Sequence, residues 1–444
     1  MGKMTKEKII KIVQEEDVRF IRLQFTDIFG MMKNISITDQ ELEKALSNEC
    51  MFDGSSIEGF VRIEESDMLL YPDLDTFAIF PWQQQFGKVG RLICDVYTTD
   101  GKPFGGDPRN ILKTVLAEAK SMGYTINVGP EAEFFLFQND ESGKPTLQTN
   151  DDAGYFDLAP IDQGENARRD MCIALQEMGF KIEASHHECG RGQHEIDFRY
   201  AEALKTADDI MTFKLVVKTI AKTHGLHATF MPKPIYGIAG NGMHINLSLL
   251  DEAGKNAFRD DKDEYNLSTI AYKFMAGVME HARGMCLITN PLVNSYKRLV
   301  PGHEAPIYVA WSAKNRSPLI RVPSAGGNAT RIELRNPDPS ANPYLALAVA
   351  IAAGLDGIKR NLTPPPAVNI NIFEMTRDER RAANIKALPE DIERATTAFE
   401  EDDLMRATLG EHLYTKYLDA KKIEYREYKR QVHPWEVERY LYIQ

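Results

Sequence analysis

Two glutamates lie just before the apolar run of the stretch GPEAEFFLF, residues 129–137. Residues two apart on a β-strand point to the same face, so Glu131 and Glu133 should lie side by side on what is otherwise a core strand. Neighbouring carboxylates repel each other, and their burial without partners is costly. The chain can form this strand only if other groups, or cations, stabilise its acidic face.

Three further stretches carry acids in strand-like patterns: HHECGRGQHE at 186–195, GNGMHINLS at 240–248 and RIELR at 331–335. The second and third alternate polar with apolar residues, which predicts half-buried strands with a polar face. Together with the first strand they supply a set of candidate metal ligands: Glu131, Glu133, Glu188, Glu195, His244 and Glu333. Oxygen ligands with a single imidazole favour Mg²⁺ or Mn²⁺.

Each of these acids has an ordinary alternative when it is taken alone. A glutamate on a strand is usually solvated or paired with lysine or arginine, and a single histidine is usually structural. The metal hypothesis therefore depends on whether the separate strands converge.

Arginines form a second cluster, in and after the proline-punctuated loops KRLVPGHEAP and KNRSPLIRVP. Its members are Arg298, Arg316, Arg321, Arg331 and Arg335. A guanidinium binds phosphate or carboxylate through two parallel hydrogen bonds, so a cluster beside a carboxylate–metal set favours phosphoryl transfer to a carboxylate substrate. A surface charge network is the alternative. The sequence has neither GxxxxGK[ST] nor GxGxxG, so a nucleotide site would be of another kind.

Composition excludes several classes of function. The net charge is −12 with lysine and arginine scattered, which argues against direct binding to nucleic acid. The longest apolar run, YLALAVAIAAGL at 344–355, is too short to span a membrane and predicts a buried helix. Five widely spaced cysteines indicate reduced thiols, and no signal-peptide pattern precedes them, so we expect a cytoplasmic protein.

The order of predicted elements favours an α+β fold with two domains, residues 1–103 and 104–444. The first hundred residues mix strand-like runs with turns, and GKPFGGDPRN at 101–110 is a linker in which Asp107 caps a helix. The strands that follow lack regular βαβ spacing, which predicts antiparallel pairing. Helices are predicted at 107–122, 164–178, 207–224, 264–284, 342–358 and 389–432, the last with breaks.

A series of long motifs then identifies a family. MFDGSSIEGF, GPEAEFFLF, HHECGRGQHEID, ATFMPKP, GMHINLS, NSYKRLVPGHEAP, NRSPLIR and NPDPSANPYLA occur in this order along nearly the whole chain. The chain resembles the bacterial type I glutamine synthetases, and its length resembles the alpha subtype of Gram-positive bacteria. The resemblance implies an N-terminal β-grasp domain and a catalytic domain of antiparallel strands and helices. It also implies a homododecamer of two hexameric rings, tied in part by the C-terminal segment, with active sites between subunits.

The reaction implied by the resemblance joins glutamate and ammonium with ATP as a substrate, through a γ-glutamyl phosphate. Two or three Mg²⁺ or Mn²⁺ ions per site are implied, one held by Glu131, Glu188 and Glu195 and the others by Glu133, His244 and Glu333. The implied catalytic residues are Asp53, which takes a proton from ammonium, Glu304 on a flap that excludes water, and Arg316. The implied glutamate contacts are Gly240, Arg298, Glu304 and Arg335. The implied ATP contacts are Glu183, Tyr200, Asn246, Ser248, Arg316, Arg321 and Arg331. Taken alone, Asp53 is equally consistent with a turn or a helix cap.

Two departures from the family pattern and two regulatory features are also visible. Ala239 stands where the family commonly has asparagine, in Ala-Gly-Asn-Gly-Met-His, and His303 stands where tyrosine is common. No tyrosine lies between Tyr344 and Tyr414, so we expect no adenylylation. Arg62 matches a position used for glutamine feedback, with a salt bridge to a nearby glutamate as the alternative.

Two other functions remain open at this point. One is a ligase that joins glutamate to an amine other than ammonia. The other is a feedback-inhibited form that binds nitrogen-regulatory transcription factors.

Overall fold

The computed structural model describes residues 3–57, 59, 67–82, 86–302, 305–315 and 317–443. The predictions for Arg62, His303, Glu304 and Arg316 therefore lie outside the described residues. Within the described ranges the chain forms two hydrophobic cores, one in each of two sheet-based units. No described helix is long and apolar enough to cross a bilayer.

The N-terminal unit is a five-stranded sheet in the order β2-β1-β5-β4-β3. Its strands are β1 (Val18–Thr26), β2 (Met32–Thr38), β3 (Cys50–Asp53), β4 (Asp67–Ile79) and β5 (Lys88–Thr98). Strands β1 and β5 are parallel and the other neighbours are antiparallel. Two helices pack on the sheet: α1 (Lys6–Glu15) and α2 (Leu42–Leu46).

The larger unit is built around β6, the long strand that contains Glu131 and Glu133. A ten-stranded sheet follows the order β14-β15-β16-β12-β6-β9-β8, and β7, β10 and β11 also pair with β6. The ten strands of this sheet are β6 (Thr125–Asn139), β7 (Pro145–Thr149), β8 (Ile182–His187), β9 (Gln193–Phe198), β10 (Ala201–Glu202), β11 (Leu226–Thr229), β12 (Met243–Leu250), β14 (Trp311–Ser312), β15 (Ile320–Arg321) and β16 (Ile332–Leu334). A separate two-stranded sheet is formed by β13 (Tyr308–Val309) and β17 (Lys386–Ala387). All described pairs in this unit are antiparallel except β14 with β15, so the prediction of an antiparallel α+β sheet is confirmed.

Most helices of the larger unit contribute buried side chains to its core. The helices of this unit are α3 (Pro108–Ser121), α4 (Glu165–Glu177), α5 (Ala203–Thr223), α6 (Thr269–Glu280), α7 (Ala282–Thr289), α8 (Ser295–Arg298), α9 (Pro343–Lys359), α10 (Arg377–Ala382), α11 (Ile392–Glu400), α12 (Asp403–Lys429) and α13 (Pro434–Tyr440). The apolar run predicted as a buried helix forms α9, most of whose residues are buried. Asp107 caps α3 as predicted, with its Oδ1 accepting from the Arg109 amide at 3.0 Å.

The prediction of a single helix over 264–284 is wrong. The chain turns at Asn266, where φ is 57°, and α6 begins only after Ser268, whose Oγ accepts from the Ala271 amide at 3.2 Å. A second break, at His281, separates α6 from α7, and the side chain of this residue is held by aspartates from two other parts of the fold.

The two units are in direct contact. Ile28, from the loop after β1, is fully buried in the core of the larger unit. The side chain of Asn342, which caps α9, donates to the Asp27 carbonyl at 3.1 Å. Gly30 has φ of 82°, and a Cβ there would lie 2.9 Å from the Asn342 backbone, so only glycine fits this contact. The division at residues 103 and 104 remains our proposal for the domain boundary.

Candidate active site

Strand pairing brings the predicted acids onto one face of the large sheet. His244 on β12 lies opposite Glu131 on β6, and Glu195 on β9 lies opposite Glu133. Glu333 on β16 lies opposite Asn246 of β12. Directly paired residues project from the same side of a sheet, so four strands from distant parts of the chain share one acidic face.

The first group of ligands on this face consists of Glu131, His244 and Glu333, whose ligand atoms lie within 4.8 Å of one another. His244 Nδ1 is 3.3 Å from Glu131 Oε2 and 3.7 Å from Glu333 Oε1. Burial opposes ionisation of Glu131, but hydrogen bonds with His244 and Asn246 outweigh it and lower its pKa to about 2. Burial and the nearby Arg335 lower the pKa of His244, which favours the neutral imidazole that can bind a metal.

The second group lies on the other side of Glu131, around Glu133, Glu188 and Glu195. His186, Glu188 and Glu195 offer ligand atoms within 4.8 Å of one another, and Glu133 is the cross-strand neighbour of Glu195. Burial, followed by the Glu188 charge, raises the pKa of Glu133 to about 8. Burial and the Glu133 charge raise the pKa of Glu195 well above its usual range.

This geometry corrects the grouping implied by the resemblance. Glu131 was assigned to one ion with Glu188 and Glu195, and Glu133 to another with His244 and Glu333. In the structure Glu131 lies with His244 and Glu333, while Glu133 is paired with Glu195. The reason is strand register. His244 of β12 lies opposite Glu131, whereas the residue of β6 that lies opposite Glu195 of β9 is Glu133.

Arginines surround Glu333 at the edge of the acidic face. Glu333 is 1% exposed, its Oε2 is 2.7 Å from Arg321 Nη1, and its Oε1 accepts from Arg335. Arg298 is also buried and donates to two backbone carbonyls, those of Arg335 and Asn336. The guanidinium groups thus supply positive charge beside the acidic face.

A cavity of about 580 Å³ opens on the Glu131 side of the acidic face. Five predicted ATP contacts line it: Glu183, Tyr200, Asn246, Ser248 and Arg331. Asn246 connects this cavity with the first group of ligands, because its Nδ2 donates to Glu131 Oε1 at 2.9 Å and its Oδ1 accepts from Arg331 Nε at 2.9 Å. The cavity is large enough for a nucleotide-sized ligand.

A smaller pocket of about 40 Å³ lies on the other side of the face. It is lined by Glu133, Glu188, Cys189, Gln193, Ala239, Gly240, His244, Arg298, Ala305 and Arg335. The predicted glutamate contacts Gly240, Arg298 and Arg335 are therefore together here. The two arginines would attract a small carboxylate.

The asparagine two positions after Ala239 does not replace the missing amide in this pocket. Asn241 is fully buried, and its Nδ2 donates to the Met231 carbonyl at 3.0 Å. Its Oδ1 accepts from Gln193 Nε2 at 3.2 Å. The amide of Asn241 therefore fixes the loop from inside, and the pocket wall at this point consists of Ala239 and Gly240.

Sequence reasoning left three polar residues of the face out of the predicted ligand set: His186, Gln193 and Asp197. Gln193 donates to Glu133 Oε2 at 2.9 Å, and His186 Nε2 is 2.9 Å from Glu188 Oε1. Asp197 lines the larger cavity. Gln193 and Asp197 flank Glu195 at a spacing of two residues, so the period of β9 could have revealed them.

Asp53 lies apart from these residues. It ends β3 in the N-terminal sheet, its side chain is exposed, and it lines neither of the two cavities. Its Oδ1 accepts from the Ser55 amide at 2.8 Å, and the hydrogen bonds from Ser55 lower its pKa.

The acidic face fits divalent cations that bind oxygen. Its six predicted ligands are five carboxylates and one neutral imidazole. Five of them fall, together with His186, in two groups of metal-coordinating size, and the sixth, Glu133, is the cross-strand neighbour of Glu195. Burial raises the pKa of Glu133 and of Glu195, and the charge of a neighbouring carboxylate raises each pKa further. A divalent cation between them would reverse that effect, which answers the problem posed by the two adjacent glutamates.

Comparison with known proteins agrees with this architecture. Residues 17–99 match the model of the glutamine synthetase β-grasp domain, and residues 105–440 match that of the glutamine synthetase catalytic domain. A glutamine synthetase of Clostridium saccharobutylicum is 63% identical over 441 residues, 99% of each chain. One of Staphylococcus aureus is 60% identical over 438 residues, 98% of each chain.

Solved structures show the same fold. A complex of GmaS with ADP has a TM-score of 0.89 at 33% identity, covering 97% of this chain and 99% of that one. The glutamine synthetase of Plasmodium falciparum has a TM-score of 0.87 at 25% identity, covering 99% of both chains. The chain therefore belongs to the glutamine synthetase family of enzymes, with an N-terminal β-grasp domain and a larger catalytic domain.

Proposed function

We propose that this chain is a glutamate–ammonia ligase, which forms glutamine, ADP and phosphate from glutamate, ammonia and ATP. One observation carries the proposal: the acidic face lies between a nucleotide-sized cavity and a small pocket that contains Arg298 and Arg335. A phosphoryl donor and a carboxylate acceptor placed on the two sides would meet across the metal ligands.

The cofactors are Mg²⁺ or Mn²⁺, two or three per site. Glu131, His244 and Glu333 would hold one ion, and Glu133, Glu188 and Glu195 another, as their proximity supports. When bound, the ions neutralise phosphate oxygens and stabilise the charge of a loose transfer transition state.

On the nucleotide side, Tyr200, Glu183 and Ser248 bind and orient ATP. Asn246 and Arg331 lie nearest the acidic face and direct the phosphates toward it. Arg321, and Arg316 by resemblance, compensate the phosphate charge during transfer.

On the glutamate side, Arg298, Arg335 and the Gly240 backbone hold the substrate. A γ-carboxylate oxygen attacks the γ-phosphorus of ATP, the bond to ADP breaks, and an acyl phosphate forms. Asp53 takes a proton from ammonium, the ammonia nitrogen attacks the acyl carbon, and phosphate leaves. Glu304 would exclude water, because hydrolysis would destroy the acyl phosphate.

The direct test is an assay of the purified protein with glutamate, ATP and Mg²⁺ or Mn²⁺, offering ammonia, methylamine or a polyamine as the nucleophile. We expect glutamine from ammonia to be the main product. Formation of an amide of another amine without glutamine would contradict the proposal and favour the amine ligase. The exposed-site variant Glu141→Ala, on the turn after β6, is the matched control and should retain full activity.

We also propose a cytoplasmic homododecamer of two hexameric rings with active sites shared between subunits. The position of Asp53 outside both cavities of its own chain supports the sharing. Apolar residues exposed in and around α13 support contact with other subunits: Val432, Trp435, Val437, Leu441 and Ile443. The five cysteines form no disulfide, in agreement with a reducing compartment.

Subunit mixing tests the shared site. Asp53→Ala and Arg335→Ala chains should each be inactive alone. If the two residues act in one site from different chains, hybrids formed by mixed reassembly regain about a quarter or less of wild-type activity, as random pairing allows. Hybrids that assemble but remain inactive would show that each chain supplies its own Asp53.

Glutamine feedback through Arg62 and binding of nitrogen-regulatory transcription factors are further parts of the proposal. Pull-down of such a regulator with and without glutamine tests them together. Binding that is equal in the two conditions would contradict a feedback-linked switch.

A further inference from the structure

A buried polar cluster lies directly behind the acidic face, on the opposite side of the β8–β9 hairpin. Cross-strand pairing places His186 opposite Glu195 on the ligand side and His187 opposite His194 on the buried side. Both His187 and His194 are 0% exposed, and their ring centroids are 4.8 Å apart. Nothing in the proposed reaction uses these two imidazoles, although they alternate with its metal ligands.

His187 connects a carboxylate to the backbone of a metal ligand. Its Nδ1 is 2.7 Å from the Glu188 carbonyl oxygen, which can only accept, so Nδ1 carries a proton and donates. Its Nε2 is 3.1 Å from Asp151 Oδ1. The ring is thus held from both sides, and Glu188 is the residue at the end of this chain of hydrogen bonds.

Asp151 also holds the other end of the turn between β8 and β9. Its Oδ1 accepts from the Gly192 amide at 3.0 Å, and its Oδ2 accepts from the Gln163 amide at 3.2 Å. One buried carboxylate therefore fixes Gly192 directly and Glu188 through His187. The turn between them leads into β9, which carries Gln193 and Glu195.

A guanidinium already supplies positive charge inside this cluster. Asp151, Asp162, His187 and His194 have the composition of a metal site. However, Arg168 Nη1 lies 2.9 Å from His194 Nδ1 and 2.8 Å from Asp162 Oδ2. This guanidinium supplies positive charge and leaves His194 Nδ1 as an acceptor, while His194 Nε2 and Arg168 Nε have no hydrogen-bond partner among the described residues.

We propose that Asp151 and His187 are positioning residues that hold Glu188 and Glu195 at metal-binding distance. The carboxylates of the second group lie close together on adjacent strands, with Glu195 directly opposite Glu133, so they repel one another whenever they are ionised without a cation. A turn free to move would let them separate, and the cation would then have to reassemble its ligands. Groups that orient metal ligands typically contribute 10–100-fold to affinity.

Two substitutions of His187 separate its two hydrogen bonds. In His187→Asn the side-chain amide lies where Nδ1 was and can still donate to the Glu188 carbonyl. In His187→Gln the amide lies where Nε2 was, so contact with Asp151 is kept and the donor to Glu188 is lost. Both variants carry the same amide group, but each keeps the contact with a different neighbour: the Glu188 carbonyl in His187→Asn and Asp151 in His187→Gln.

The experiment is titration of the metal-free, full-length enzyme with Mn²⁺ alone, followed by the electron paramagnetic resonance signal of free Mn²⁺. We expect His187→Gln to weaken the tightest Mn²⁺ binding by about 10–100-fold. His187→Asn keeps the donor to Glu188 and loses only the contact with Asp151, so it should weaken binding less. With saturating Mn²⁺, kcat should be largely restored in His187→Gln. Melting temperatures measured in EDTA show whether the fold itself has changed.

Unchanged Mn²⁺ affinity in His187→Gln would overturn the proposal, whatever the melting temperature. So would an equal loss in His187→Asn, which keeps the donor to Glu188. If His187→Gln does not fold, Asp151→Asn takes its place with the same expected loss. The inference rests on the proposed role of Glu188 and Glu195; a wild-type enzyme that binds no Mn²⁺ would refute that role, whereas a binding wild type with an equally tight variant refutes only the positioning.

Discussion

Glu131 shows how single side chains prepare the site. Its carboxylate receives hydrogen bonds from Asn246 at 2.9 Å and from His244 at 3.3 Å, and these lower its pKa to about 2 despite burial. It is therefore ionised throughout the physiological range. Hydrogen bonds also connect Arg331, at the larger cavity, to Asn246 and Asn246 to Glu131.

Replacing Glu131 by alanine should lower Mn²⁺ affinity and activity by at least about 10–100-fold with little loss of fold. The carboxylate is a ligand when the cation is bound and adds to the repulsion when it is not. Melting temperatures of the metal-free and Mn²⁺-loaded protein measure both effects. A metal-induced rise equal to that of wild type, or of Glu141→Ala, would show that Glu131 is not a ligand.

Asn246→Ala should raise the KM for ATP more than the KM for glutamate. The amide connects Arg331, at the larger cavity, with Glu131 through two hydrogen bonds of 2.9 Å. Its loss leaves the arginine without this partner and disturbs the nucleotide side first. Steady-state kinetics with each substrate varied in turn provide the measurement, and an isolated rise in the KM for glutamate would contradict this assignment.

At the scale of elements, the side chain of His281, which lies at the break between α6 and α7, connects this point to α9 and α12. Its Nδ1 is 2.9 Å from Asp402, which caps α12, and its Nε2 is 3.0 Å from Asp356 on α9. Both partners can only accept, so both ring nitrogens carry protons. Burial opposes this charge, but the hydrogen bonds with Asp402 and Asp356 raise the pKa of His281 above its ordinary value.

The raised pKa predicts a pH-dependent contribution to stability. Below the ordinary pKa of about 6.5, His281 is protonated in the folded and unfolded states, and the stabilisation is fully present. It is lost as the pH rises through the folded-state pKa. Between about pH 6 and about pH 9 the melting temperature of wild type should therefore fall further than that of His281→Gln. Parallel curves for the two proteins would contradict this.

For the whole molecule, Arg109 at the start of α3 connects the two domains. It lies 2.6 Å from Asp73 on β4, 2.7 Å from Asp95 on β5 and 2.9 Å from Asp208 on α5. Its side chain is 3% exposed. Asp208 also accepts from the hydroxyl of Tyr344 on α9 at 2.7 Å. A single guanidinium thus compensates carboxylates from both domains.

Arg109→Ala should lower the free energy of unfolding by roughly 3–5 kcal/mol, because it leaves buried carboxylates without their cation. Arg109→Lys should recover only part of this, since an ammonium cannot bind Asp208 through two parallel hydrogen bonds. Arg19→Ala is the control: its ion pair with Asp17 is exposed and should contribute less than about 1 kcal/mol. Urea unfolding at fixed subunit concentration measures all three, and equal effects of Arg109→Ala and Arg19→Ala would contradict the domain-linking role.

Much of the fold and site could be predicted from local sequence. The helix α9, the Asp107 cap and the polar alternation of β12 depend on neighbours within a few residues, where periodicity and capping act. The residue types of the acidic face likewise indicated a cation that binds oxygen. The contacts of His281 at the helix break could not be predicted, because its aspartate partners lie 75 and 121 residues away.

The sequence by itself determined which side chains alternate on each strand and what kind of cation they suit. Only the tertiary structure decided how the ligands are grouped. His244 is 113 residues from Glu131, and Glu195 is 62 positions beyond Glu133, yet antiparallel register makes each pair direct neighbours. Register depends on the packing of whole strands, and a shift of one residue would turn every ligand to the other face.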